Sequence, residues 1–248
     1  MNGLPSFAVT LLAVVVTSQA VASSFDKPAN TQVVKLPADP DNPQAKPKRT
    51  CTTYADFMVK EVDLGETGAF ELSIAPVHGP LPNCEKAIAH EAVIKPDTWS
   101  GYFSGAKGEY VFFDAEDGWN NGIPFAVFDA KTSRKLFSDT RKGDTYGAVE
   151  LVNGGLVLRY RRVWLAPCSL MVNTQACWKK IVASTLLADS TRPDCSAAYH
   201  KEMERTPTFA KDIPTLPSVI SYEAEARYEG GKLVVTPRPG SVECWLSD

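Results

Sequence analysis

The chain has 248 residues, of which 44% are hydrophobic and 22% charged, and its formal net charge is −3. This composition is ordinary for a folded globular protein, and the length allows one domain with a sizeable core or two small ones. A pI near 5.7 argues against a nucleic-acid partner, because duplex binding relies on a basic surface that neutralises phosphates.

The first residues predict a removable signal peptide. An apolar run over residues 4–16 precedes residues 19–23 (QAVAS), which have small side chains at the two positions that a signal peptidase reads. We place the cut after Ala22, so that residues 1–22 are the leader and the mature chain begins at Ser23. The alternative is an uncleaved anchor, but this run is shorter than the roughly 20 residues that a spanning helix needs. We therefore expect a periplasmic or extracellular protein without a transmembrane segment in its mature chain.

Residues 23–50 are predicted to be a Pro-rich linker. They contain five prolines, few apolar side chains and a basic cluster at residues 46–49 (KPKR). Such a segment buries too little surface to offset its ordering entropy, so a disordered or extended tether is expected. The folded part is then a single disulfide-stabilised domain over residues 51–248.

Strand patterns dominate from residue 51 onward. Alternating apolar and polar residues, and turn residues such as Asn153-Gly154, indicate half-buried strands joined by tight hairpins. The Asp129 side chain is placed to cap the amides of its turn. The ranges that match strands or hairpins are, in chain order, 54–62 (ambiguous, with a strand favoured in its second half), 70–74, 109–113, 125–137, 148–158 and 221–236.

Two short helices interrupt these strands. Residues 176–187 repeat apolar side chains at helical spacing, and residues 195–205 follow Asp194, a helix-capping residue, and stop before Pro207. The hairpin at residues 126–137 resembles the Asp-x-x-Thr-Gly strand pairs of β-propeller blades, with Ser133 in place of the glycine. The predicted fold is mainly β, with antiparallel hairpins that form a β-propeller-like or β-sandwich domain with one or two short helices.

The six cysteines favour three disulfides in an oxidising compartment. Six cysteines allow 15 pairings, and we prefer the pairs of sequence neighbours because local pairs close with little misassembly. A metal site or a redox-active pair would need Cys-x-x-Cys spacing, which the chain lacks. The expected bonds are Cys51–Cys84, Cys168–Cys177 and Cys195–Cys244.

The most polar stretch of the chain, residues 114–122, is the candidate ligand-binding loop. Its oxygens suit calcium, and its tryptophan with the neighbouring polar groups suits a sugar. The competing and favoured interpretation is a long hairpin loop, since turn residues and calcium ligands are largely the same types. No cofactor is expected beyond this calcium alternative. The candidate residues are Asp114, Glu116, Asp117, Trp119, Asn120 and Asn121.

Motifs for catalysis are missing from the sequence. It has three histidines without a His-Glu-x-x-His pair, no Gly-x-Ser-x-Gly elbow and no phosphate-binding glycine loop. The favoured hypothesis is a non-catalytic exported domain that binds an extracytoplasmic protein or a glycan. The alternative is a secreted hydrolase that cleaves carbohydrate with paired carboxylates such as Asp114 and Asp117.

Overall fold

The computed structural model describes residues 25–65 and 67–247. Within these ranges the chain forms fourteen β-strands, two α-helices and three single-turn 3₁₀ helices. All strand pairs are antiparallel, which confirms the predicted fold class. The predicted signal peptide at residues 1–22 lies outside the described residues.

The first sheet contains five strands that pair in chain order. They are β1 (Asn30–Lys35), β2 (Lys48–Thr53), β3 (Phe57–Asp63), β4 (Glu71–Pro76) and β5 (Ala92–Ile94). Strand β1 and the start of β2 fall in the expected linker, so this part of the chain differs from a disordered tether. The reason is that β1 alternates half-buried and exposed side chains and pairs with β2 over its whole length.

The second sheet contains nine strands. They are β6 (Gly101–Lys107), β7 (Tyr110–Ala115), β8 (Ile123–Asp129), β9 (Lys135–Arg141), β10 (Ala148–Val152), β11 (Gly155–Leu165), β12 (Ser218–Glu229), β13 (Lys232–Pro237) and β14 (Glu243–Leu246). The order is β13-β12-β11-β9-β8-β7-β6, with β10 paired to β11 and β14 paired to β12. The three predicted hairpins are all formed.

The two sheets pack face to face over an apolar core. Phe57 and Ile74 of the first sheet meet Phe113 and Phe128 of the second. Two sheets of five and nine strands match a β-sandwich-like domain and not the repeated four-stranded blades of a propeller.

Two helices cover part of the other face of the second sheet. These are α1 (Thr174–Thr185) and α2 (Ser196–Arg205), each within two residues of the predicted bounds. Trp178 of α1 and Tyr199 of α2 are buried in one cluster with Tyr222 of β12. This packing places the C-terminal end of α2 near β14, the last strand.

Three disulfides join the predicted sequence neighbours, which confirms the preferred pairing: Cys51–Cys84, Cys168–Cys177 and Cys195–Cys244. Each such bond stabilises a fold by about 2–4 kcal/mol, chiefly by restricting the unfolded chain. Three disulfides are compatible with an extracytoplasmic, stabilised domain. In the part of the chain that the structure describes, no helix is long and apolar enough to cross a membrane.

Candidate functional site

A tight turn at residues 119–122, here named the seated turn, forms the tip of the predicted ligand-binding loop. Trp119 and Gly122 exchange two backbone hydrogen bonds of 2.9 and 2.8 Å. Between them Asn120 and Asn121 have φ angles of +51° and +55°. Two positive φ angles are typical of a primed two-residue turn, and asparagine tolerates them better than most residues.

The seated turn packs against the second sheet. Gly122 is buried, and a Cβ atom at this position would lie 2.6 Å from Thr140 Cγ2 and 3.0 Å from Val163 Cβ. Asn120 is only 3% exposed, whereas the neighbouring Trp119 side chain is 48% exposed. The sheet therefore holds the turn in place while the indole stands in solvent.

A small cleft of about 230 Å³ lies on one side of the seated turn. Its walls come from the turn itself and from strands β9 and β11. The lining residues are Trp119, Asn120, Asp139, Thr140, Val163, Trp164 and Leu165.

A large cleft of about 680 Å³ lies on the other side, along α2 and β14. Its lining includes Asn121 of the seated turn, and also Arg205, Phe209, Leu216, Trp245 and Leu246. Phe209 is 61% exposed. We call the seated turn with its two clefts the hairpin surface.

A buried ion pair forms the floor of the small cleft. The Asp139 side chain is 8% exposed and lies 2.9 Å from Nε of Arg162. It also accepts a hydrogen bond of 2.6 Å from the hydroxyl of Tyr160, and Arg162 donates one of 3.0 Å to the hydroxyl of Tyr222. The charges at this position are thus paired and hydrogen-bonded, as buried charges must be.

The pKa values of this network reflect its burial. Burial, followed by the charge of Asp139, raises the pKa of Tyr160 well above its ordinary value. Burial alone would lower the pKa of Arg162, but the nearby Asp139 carboxylate raises it above the ordinary value. Both groups therefore stay protonated at physiological pH.

The three predicted carboxylates do not meet at the hairpin surface. Asp114 lies 2.7 Å from Nη2 of Arg141, whose side chain is 2% exposed. Glu116 accepts a hydrogen bond of 2.7 Å from Ser100, and Asp117 is exposed. Among residues 25–65 and 67–247, no group of three or more His, Cys, Asp or Glu side chains is arranged to hold a metal ion.

The seated turn thus brings Trp119, Asn120 and Asn121 together with residues that the sequence did not single out. Asp139, Trp164 and Trp245 belong to three other strands, and no local pattern links them to the loop. The fold and this surface define a disulfide-stabilised, β-sandwich-like domain with an aromatic-lined pair of clefts. Comparison with protein-family models, curated proteins and solved structures finds no match to this chain.

Proposed function

We propose that this chain is an exported binding domain whose ligand occupies the hairpin surface. The observation that carries the proposal is the half-exposed Trp119 on a rigid turn, between clefts that contain Trp164 and Trp245. Tryptophan is enriched among the residues that dominate binding energy, since one ring supplies a large contact area. A pre-positioned indole also loses little conformational entropy on binding.

The ion pairs of this region support binding over catalysis. Asp139 is held by Arg162 and Tyr160, and Asp114 is held by Arg141. A catalytic carboxylate has to exchange a proton with its substrate or attack it, and carboxylates committed to arginine are poorly suited to both roles. The hydrolase alternative therefore lacks a favouring contact at the hairpin surface.

Export is the second part of the proposal, and the leader sequence and three disulfides support it. Intact-mass measurement and N-terminal sequencing of the protein from its native compartment should find a chain that begins at Ser23 with all cysteines oxidised. A chain that keeps its leader, or that carries free thiols in the cytoplasm, would contradict export.

The binding proposal is tested by affinity capture from the envelope and secreted fractions of the source cells. The mature protein is immobilised beside two variants, Trp119→Ala and Leu151→Ala. Leu151 is a matched control because it is 47% exposed, against 48% for Trp119, and does not line either cleft.

We expect the mature protein and Leu151→Ala to retain the same material. Trp119→Ala should retain it about tenfold less or worse, as expected when a central aromatic contact is removed. Equal retention by all three proteins would place the binding site elsewhere, and no retention by any of them would refute the binding function.

A further inference from the structure

The hairpin surface combines indole rings with amide groups. Trp119 and Asn121 are adjacent on the seated turn, and Trp245 faces Asn121 across the large cleft. A sugar ring has an apolar C–H face that packs on an indole, and hydroxyls that both donate to and accept from an amide. The side chains of this surface therefore match the two chemical properties of a carbohydrate.

The charges of the clefts are largely matched to one another. Arg205 binds both carboxylate oxygens of Glu202 through hydrogen bonds of 2.8 and 2.7 Å, and Lys142 pairs with Glu243 beside Trp245. Lys201, which also lines the large cleft, adds one positive charge. A surface with paired charges has little to offer a strongly ionic ligand, which favours an uncharged one.

The relief of the hairpin surface also favours a chain of rings over a folded protein. A stable protein interface buries about 800 Å² on each partner around a core depleted of charge. Here the seated turn forms a ridge between two separate depressions of about 680 and 230 Å³. A flexible chain of ring units can fill both depressions across the ridge, whereas a flat protein surface cannot.

We infer that the ligand is a neutral oligosaccharide whose sugar rings occupy the clefts on both sides of Trp119. This inference rests on the proposed binding function and names its ligand class. The indoles provide the stacking surfaces, and the amides of Asn120 and Asn121 bind hydroxyls at the ridge. Because no ionic contact contributes, the affinity does not depend on salt.

The test is calorimetric titration of the mature protein with neutral oligosaccharides of glucose, N-acetylglucosamine, xylose, mannose and galactose. At least one of these sugars should bind, with equal affinity at low and high salt. Trp119→Ala should weaken that binding about tenfold or more, Trp119→Tyr should restore part of it, and Leu151→Ala should not change it. The melting temperature of each variant separates loss of binding from loss of the fold.

The possible failures are distinguishable. If no sugar of the panel binds, while capture yields a protein or a polyanion that depends on Trp119, the carbohydrate inference is overturned and the binding site stands. If a sugar binds equally well to Trp119→Ala, both the inference and the proposed site are wrong. Binding that disappears in high salt would also overturn the inference, because it would require an ionic contact.

Discussion

Two tight turns of the second sheet have similar backbones and very different surroundings. The seated turn has φ angles of +51° and +55° at its centre, and the turn at residues 152–155, here named the open turn, has +51° at Asn153 and +82° at Gly154. A Cβ atom at Gly122 would collide with two side chains, whereas one at Gly154 would meet nothing within 4 Å. Local residue chemistry thus makes the turn, but only the neighbouring strands turn it into a candidate site.

The largest expected difference lies beneath the two turns. Arg162→Met leaves Asp139 buried without its cation, so we expect the free energy of unfolding to fall by about 3–5 kcal/mol. Near the open turn, Glu150→Gln breaks a partly exposed pair of 3.6 Å with Arg159 and should cost about 1 kcal/mol or less. Denaturant unfolding measures both values, and similar costs would remove the proposed distinction.

Alkaline pH should act on the same buried network. The folded-state pKa of Tyr160 lies above its unfolded value of about 10, so its contribution to stability is present below that pH and lost above it. We expect the free energy of unfolding to decrease above about pH 10. Tyr160→Phe should be less stable at neutral pH but should show a shallower decrease, and an unchanged slope would contradict this cause.

Glycine substitutions compare the turns directly. Gly122→Ala places a methyl group against Thr140 and Val163 and should cost about 1–3 kcal/mol through overpacking. Gly154→Ala meets no neighbour and should cost about 1 kcal/mol, from the positive φ angle alone. If thermal unfolding shows the larger loss for Gly154→Ala, the seated turn is not held as tightly as its contacts indicate.

The smallest effects concern the two exposed side chains. Trp119→Ala and Leu151→Ala each remove a side chain that is about half exposed, 48% and 47% respectively. Each should lower the free energy of unfolding by about 1 kcal/mol or less, since only the buried half of the apolar area is lost. A much larger loss for Trp119→Ala would make this indole a structural residue and would weaken its assignment to binding.

Features that depend on short-range interactions were predictable from the sequence. The Asp129 carboxylate accepts hydrogen bonds from the amides of Lys131 and Thr132, as the turn residues predicted. Both helices and the three hairpins depend on patterns within a few residues. The disulfides join neighbours in the sequence, and so a preference for local closure was sufficient to find them.

Features that depend on distant partners were not predictable. Strand β1 lies in a Pro-rich segment, and its pairing with β2 and the packing of Phe25 on Phe112 and Tyr146 supply the order that composition alone could not. The acidic loop suggested a ligand site at Asp114, but the partner of this carboxylate, Arg141, lies on another strand. The clefts likewise depend on register across the sheet.

The claim that the ligand occupies the hairpin surface is tested most directly by the indole N–H resonances of the ¹⁵N-labelled protein. The protein is titrated with the material that it retains in affinity capture. The resonances of Trp119 and of Trp164 or Trp245 should shift, while those of Trp99 and Trp178, which do not line the clefts, should stay unchanged. Shifts confined to Trp99 or Trp178, or none at saturation, would contradict the claim.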